Sequence, residues 1–203
     1  MDYYLIGISV LIIIFVLIGI LLRIKRSSPV TPFQFSNFDD IKNIGIEDID
    51  KMQDGIDFEI YLQRLLIELG YHDAYKTVNS RDFGADVVFT DSSGDRAIIQ
   101  AKRYDTNYQI GLDAVQQVYT AKNFYRAKKT LVITSTTYTD SSETLAGVNG
   151  VLLLDRSDLI EIITNYQEGR VERAKSIIER EPRVIYAHFE EDASILIKKD
   201  IRL

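Results

Sequence analysis

The stretch Asp86-Val87-Val88-Phe89-Thr90-Asp91-Ser92-Ser93-Gly94-Asp95-Arg96-Ala97-Ile98-Ile99-Gln100-Ala101-Lys102-Arg103 decides the fold. Two β-rich runs flank Ser92-Ser93-Gly94, the pattern of a three-residue hairpin loop with glycine in its last, left-handed position. With that loop Asp91 faces Asp95, and the register sets Asp86 directly across from Gln100. Side chains alternate along a strand, so Gln100 and Lys102 share a face while Ala101 points away. Opposed residues have Cβ atoms about 4.5–5.5 Å apart. One carboxylate, one amide and one ammonium therefore gather on a single patch of an otherwise apolar strand pair.

Those groups suit metal-assisted phosphodiester hydrolysis. A hard cation wants oxygen ligands, and Asp86 with the Gln100 side-chain oxygen supplies two, water and phosphate completing the shell. Lys102 is placed to orient the attacking water or to stabilise charge developing on phosphorus. Taken singly, an Asp at a strand start is a turn residue and a Lys at a strand end is an edge charge. Their conjunction in register is what singles them out.

Upstream, Asp54 to Gly70 reads as a helix. Phe58, Leu62, Leu65, Leu66 and Leu69 form its apolar stripe, Asp54 or Asp57 caps its start and Gly70 ends it. Glu59 sits in the early turns beside that stripe, where it adds a carboxylate near the metal. Tyr71 to Val78 reads as a polar first strand. Downstream, Ile110 to Tyr125 reads as a helix with Leu112, Val115, Val118 and Tyr119 on one face. Thr130 to Ser135 and Val151 to Leu154 read as strands, Asp140 to Asn149 and Ser157 to Tyr166 as helices. After Gly169 come a helix near Val171 to Glu181 and a hairpin from Arg183 to Phe189 and Ile195 to Lys199, with no motif for chemistry.

The composition, 46% hydrophobic and 27% charged, is that of a folded protein. The chain has no cysteine, which excludes disulfides and thiolate zinc sites. His72 and His188 match no metal-ligand spacing, so an oxygen-rich site of the magnesium type is the expectation. The net charge of −6 weighs against a nucleic-acid partner held by charge alone, because non-specific affinity for DNA comes mostly from neutralised phosphates.

Leu5 to Leu22 is apolar on every side, broken by nothing more polar than Ser9. At about 1.5 Å per residue it spans most of a hydrocarbon core of roughly 30 Å. Tyr3 and Tyr4 suit one interface; Arg23, Lys25 and Arg26 crowd the other and predict a cytoplasmic location for the residues beyond them. A cleaved signal peptide would carry its basic residues before the apolar run, where this chain has Asp2. The expected organisation is thus a single-pass anchor with its basic flank (residues 1–26, with 3–22 in the membrane), a juxtamembrane linker (27–52) with a short helix near Ile46 to Met52, a core domain (53–168) and a C-terminal extension (169–203).

The core resembles the Mrr-like branch of restriction endonucleases, within the PD-(D/E)xK nuclease superfamily, from about Gly55 to Ile163. Gly55-Ile56-Asp57-Phe58-Glu59 is similar to that branch's opening helix with its Glu. Arg81-Asp82-Phe83-Gly84-Ala85-Asp86 is similar to its Asp-x-Gly-x-Asp segment, whose second Asp binds metal, while Asp82 shapes the loop. Gln100-Ala101-Lys102-Arg103-Tyr104 is similar to its Gln-x-Lys catalytic strand, Val115-Gln116-Gln117-Val118 to the helix after that strand, and Leu131-Val132-Ile133-Thr134 to the next strand.

The resemblance implies an α/β fold with a mixed central sheet flanked by helices, restriction-endonuclease-like, preceded by one transmembrane helix. It implies an endodeoxyribonuclease with Glu59, Asp86, Gln100 and Lys102 as catalytic set. Glu59, Asp86 and Gln100 then hold Mg2+, for which Mn2+ substitutes, and Gln116 is an accessory residue facing the site. DNA is the implied partner, with defence against foreign DNA one role. Double-strand cleavage needs two active sites, which makes a homodimer an expectation. Two alternatives stand beside this one: a membrane-tethered module that binds or senses nucleic acid with little or no catalysis, and a structural protein that anchors a partner.

Overall fold

The hairpin forms in the expected register. In the computed structural model, which describes residues 41–78 and 83–185, a five-stranded sheet is built from β1 (Tyr75–Lys76), β2 (Val87–Thr90), β3 (Arg96–Lys102), and two later strands. Strands β2 and β3 run antiparallel with Val87 opposite Ile99 and Thr90 opposite Arg96. The Asp91 N–H donates to the Asp95 carbonyl at 2.9 Å, the Gly94 N–H donates to the Asp91 carbonyl at 3.0 Å, and Gly94 has φ +82. Beyond β3 lie a two-residue strand, β4 (Gln109–Ile110), then β5 (Lys129–Thr134), a second two-residue strand, β6 (Thr137–Tyr138), and β7 (Leu152–Leu154). The main sheet runs β1-β2-β3-β5-β7, antiparallel as far as β3 and parallel from there, so it is mixed. Strands β4 and β6 pair in a small separate parallel sheet.

Helices cover both faces. On one side Val87, Phe89, Ile99, Ala101, Leu131 and Ile133 meet α2 (Gly55–Glu68) and the C-terminal helices. On the other, Val88, Ile98 and Val132 meet α3 (Leu112–Tyr125) and α4 (Asp140–Asn149). Asp54 caps α2 by accepting the Asp57 N–H at 3.2 Å. Helices α5 (Arg156–Gln167) and α6 (Val171–Ile178) complete the first layer. On α3 the buried residues are Ala114, Val115, Val118 and Ala121, whereas Leu112 and Tyr119, expected on that face, are exposed. Small alanines let the helix lie close to the sheet, and the bulkier residues turn outward. The polar strand expected over Tyr71 to Val78 shrinks to β1, because Tyr71 and Ala74 turn into the core instead.

The packed unit also extends further at both ends than the composition suggests. Ile41, Ile49 and Met52, within the stretch expected to be linker, are buried in the core, and α1 (Ile46–Asp50) is tied down by charged groups. Arg156 grips the Asp50 carboxylate with two bonds of 2.7 Å and also reaches the Ser135 carbonyl at 2.9 Å, while Arg103 donates to the carbonyls of Ile49 and Asp50. At the C-terminal side α6 buries Ala174, Ile177 and Ile178. Just after it, Glu179 accepts from the Tyr71 hydroxyl at 2.6 Å and from the Ser92 N–H at 3.0 Å, which braces the hairpin loop. Residues 3–22 with their basic flank, Asp82, and most of the C-terminal hairpin lie outside the described residues. Among the described residues no helix is long and apolar enough to cross a membrane.

Asp91 anchors the loop to the sheet. Its Oδ1 accepts the N–H groups of Ser93 (2.9 Å) and Asp95 (2.8 Å), and Oδ2 meets Lys129 Nζ at 2.8 Å. Burial acts to raise its pKa, but the Lys129 ammonium and the two N–H donors outweigh it and hold the carboxyl below its usual range. A group with a depressed folded-state pKa adds stability above its unfolded value, about 3.9, and loses it as pH falls through the folded value. Asp91→Ala is therefore expected to cost about 2–3 kcal/mol near pH 7, the lysine being partly solvated. Urea unfolding should show that gap closing as the pH drops below about 3.9.

Candidate active site

Strand β3 carries the site, and its neighbours fix each side chain. The Asp86 N–H donates to the Ile99 carbonyl at 2.8 Å, and the Thr77 N–H donates to the Asp86 carbonyl at 2.9 Å, so Asp86 is held as if the β2 ladder continued through it. Its side chain is buried, where Oδ2 accepts the Ala101 N–H at 2.7 Å and the amide of Gln100. Gln100 is buried as well. With its NH2 on Asp86, it has its carbonyl oxygen to offer a cation.

Lys102 ends the strand. Its carbonyl accepts the Thr134 hydroxyl at 2.7 Å and the Ser135 N–H at 3.2 Å, and its Nζ donates to Gln117 Oε1 at 2.9 Å. Gln117 comes from α3, so that helix orients the lysine. Gln116, the expected accessory residue, is exposed and does not line the cleft; Gln117 does. A signal was there to be read: Ala114, Val118 and Ala121 recur at helical spacing, and 117 falls on that stripe.

Asp86, Gln100, Lys102, Gln117 and Glu59 line one open cleft of about 670 Å³, together with Phe83, Gly84 and Tyr104. Glu59 enters from α2, and its carboxylate lies 2.8 Å from Lys76 Nζ on the edge strand β1. Nearby in the first turn of α2, burial, and after it the Asp54 charge, hold the Asp57 carboxyl above its usual range. Gly84 is the hinge of the loop that delivers Asp86: it has φ +92, and a Cβ there would stand 2.5 Å from the Gln117 carbonyl oxygen.

The donor set fits a hard divalent cation. Magnesium sites use one or two carboxylates and leave the remaining positions to water and substrate phosphate. Glu59, Asp86 and Gln100 line the same cleft and carry oxygen donors of that kind. Among the described residues no three of His, Cys, Asp or Glu converge as a metal cluster.

Among solved structures the chain is similar to AspBHI, a DNA modification-dependent restriction endonuclease, with 18% identity and a TM-score of 0.45 over 66% of this chain and 38% of that one. It is similar to the MspJI restriction endonuclease in complex with a 27-mer oligonucleotide, with 16% identity and a TM-score of 0.43 over 73% and 38%. It is also similar to AF1548, a protein of unknown function, with 16% identity and a TM-score of 0.42 over 62% and 94%. The chain thus spans well under half of the two restriction enzymes. No curated protein matches it. Residues 49–163, more than half of the chain, match the family described as restriction endonuclease, Mrr_cat, and the chain belongs to that family.

Proposed function

We propose that the chain is a membrane-anchored, metal-dependent endonuclease that hydrolyses phosphodiester bonds of DNA on the cytoplasmic side. The observation that carries this reading is the meeting in one cleft of Asp86, Gln100 and a Lys102 held by Gln117. Asp86, Gln100 and Glu59 would hold the cation. When bound, it supplies Lewis acidity toward the phosphate and its attacking water. Lys102 brings a fixed positive charge to the scissile phosphate and stabilises the charge that builds up there. Gln117 keeps that ammonium aimed, and the Ala101 N–H keeps the Asp86 carboxylate in place. The anchor rests on the apolar run Leu5 to Leu22 and its basic flank.

Magnesium dependence is checked by cleavage of plasmid and of circular single-stranded DNA by the purified full chain, at least one of which is expected to be cut. Cleavage is expected with Mg2+ or Mn2+, to stop on adding EDTA and to return with excess Mg2+; cleavage that persists in EDTA sinks the metal reading. For the anchor, the full chain is expected in the membrane fraction after a high-salt wash, and release by salt alone would count against it.

A second reading, a tethered module that binds nucleic acid without cutting it, is favoured by one observation. Glu59 is already neutralised by Lys76. Folded protein that binds DNA and cuts none under these conditions selects that reading.

A further inference from the structure

Two aromatic pairs each place one ring in the lining of the cleft. Phe83 and Tyr104 both line it. Phe83 packs on Phe124 of α3 with ring centroids 4.1 Å apart, and Tyr104 stacks on Tyr108 at 4.7 Å with planes 18° apart. All four rings are 42% to 59% exposed. Single exposed aromatics need no explanation, but exposed pairs gathered at a polar cleft mark a binding surface. Each ring is held by its partner and so presents an ordered π-face. Phe83 also has φ +50, a conformation that bulky residues rarely adopt.

Charge at the same place is sparse. Among the described residues, Asp54, Glu59 and Asp86 line the cleft against only Lys102 and Arg103. Arg103 is engaged with the carbonyls of Ile49 and Asp50, and Lys102 with Gln117. Duplex DNA is gripped mainly by Lys and Arg that neutralise phosphates, and the described lining of this cleft has no row of them. Stacking draws on a different resource, because every unpaired base has a π-face to offer an aromatic ring. In a duplex those faces are already taken by neighbouring bases.

We propose that the cleft takes single-stranded DNA, whose unpaired bases stack on Tyr104 and Phe83 while the backbone passes Lys102. This names the substrate class of the nuclease reading and rests on it. The strand's affinity comes from stacking more than from charge.

The test is fluorescence anisotropy of the full chain in detergent micelles, in EDTA so that nothing is cut, with a labelled oligo-dT of about 16 nucleotides and its dA·dT duplex. Wild type is expected to bind the single strand about tenfold more tightly than the duplex. Tyr104→Ala and Phe83→Ala should each weaken single-strand binding about tenfold, and Tyr104→Phe should restore it. Equal affinity for both DNAs overturns the proposal without recourse to any variant, and so do alanine variants that bind as wild type does. Adding Mg2+ then separates the two readings. Duplex cut with the single strand untouched removes the stacking site and keeps the nuclease. Single strand bound by stacking while no DNA is cut keeps the stacking site and removes the nuclease.

Discussion

Asp86→Asn is expected to lower metal-dependent cleavage by about 10³-fold while leaving the fold in place. The asparagine oxygen can still accept the Ala101 N–H, which Asp86 now accepts at 2.7 Å, so the backbone keeps its partner. What disappears is the negative charge that the hairpin contributes to a cation in the cleft. Several kcal/mol of transition-state stabilisation depend on that cation, and each 1.36 kcal/mol is about tenfold in rate. Steady-state cleavage together with calorimetric Mg2+ titration checks both halves. A variant that cuts at the wild-type rate would show that Asp86 holds no metal. Asp86→Ala is the harsher change, since it also strands the Ala101 N–H at a cost of about 1–3 kcal/mol.

Gly84→Ala is expected to lower stability by about 2–5 kcal/mol and, with it, the melting temperature by about 4–20 °C. Two costs add. A left-handed backbone, here φ +92, disfavours any Cβ by about 1–2 kcal/mol. The new Cβ would also stand 2.5 Å from the Gln117 carbonyl oxygen and 2.7 Å from its carbon, atoms of a helix backbone that cannot rotate aside. Either the Asp86 loop or α3 must shift, and one carries the proposed metal ligand while the other holds Lys102 through Gln117. Gly94→Ala is the control. Its φ of +82 is similar, but nothing lies within 4 Å of the added atom, so only the backbone cost of about 1–2 kcal/mol remains. Differential scanning calorimetry of the two variants separates conformation from contact; equal losses would mean that the approach to Gln117 is not tight.

How much of the fold and the site is legible in the sequence varies with the physics of each element. The hairpin is, since a three-residue loop with a left-handed glycine leaves one register, and that register delivers Asp86 to Gln100. The buried parallel strands are legible as short apolar runs. Strands β4 and β6 are not, because two residues cannot show a period. Weighting Leu112 and Tyr119 by size misjudges the face of α3, because the helix approaches the sheet through Ala114 and Ala121. The resemblance names Gln116 on that helix, whereas the glutamine that lines the cleft is Gln117. Residues 41–52 read as the end of a linker because the stretch before them, with Ser28-Pro29, Thr31-Pro32 and Asp39-Asp40, is polar and turn-rich. Their Ile41, Ile49 and Met52 nevertheless reach the core, helped by the Asp50–Arg156 pair, which no local pattern reveals. The Glu59–Lys76 pair is hidden in the same way, joining a helix to an edge strand.

The most direct measurement compares the full chain with its Lys102→Ala variant in Mg2+, on supercoiled plasmid and on circular single-stranded DNA. Wild-type protein is predicted to cut at least one of them, and the variant to be slower by about 10²–10³-fold at unchanged melting temperature. Cleavage by the variant at the wild-type rate would contradict the placement of the active site, and a folded wild-type chain that cuts neither DNA would contradict the nuclease itself.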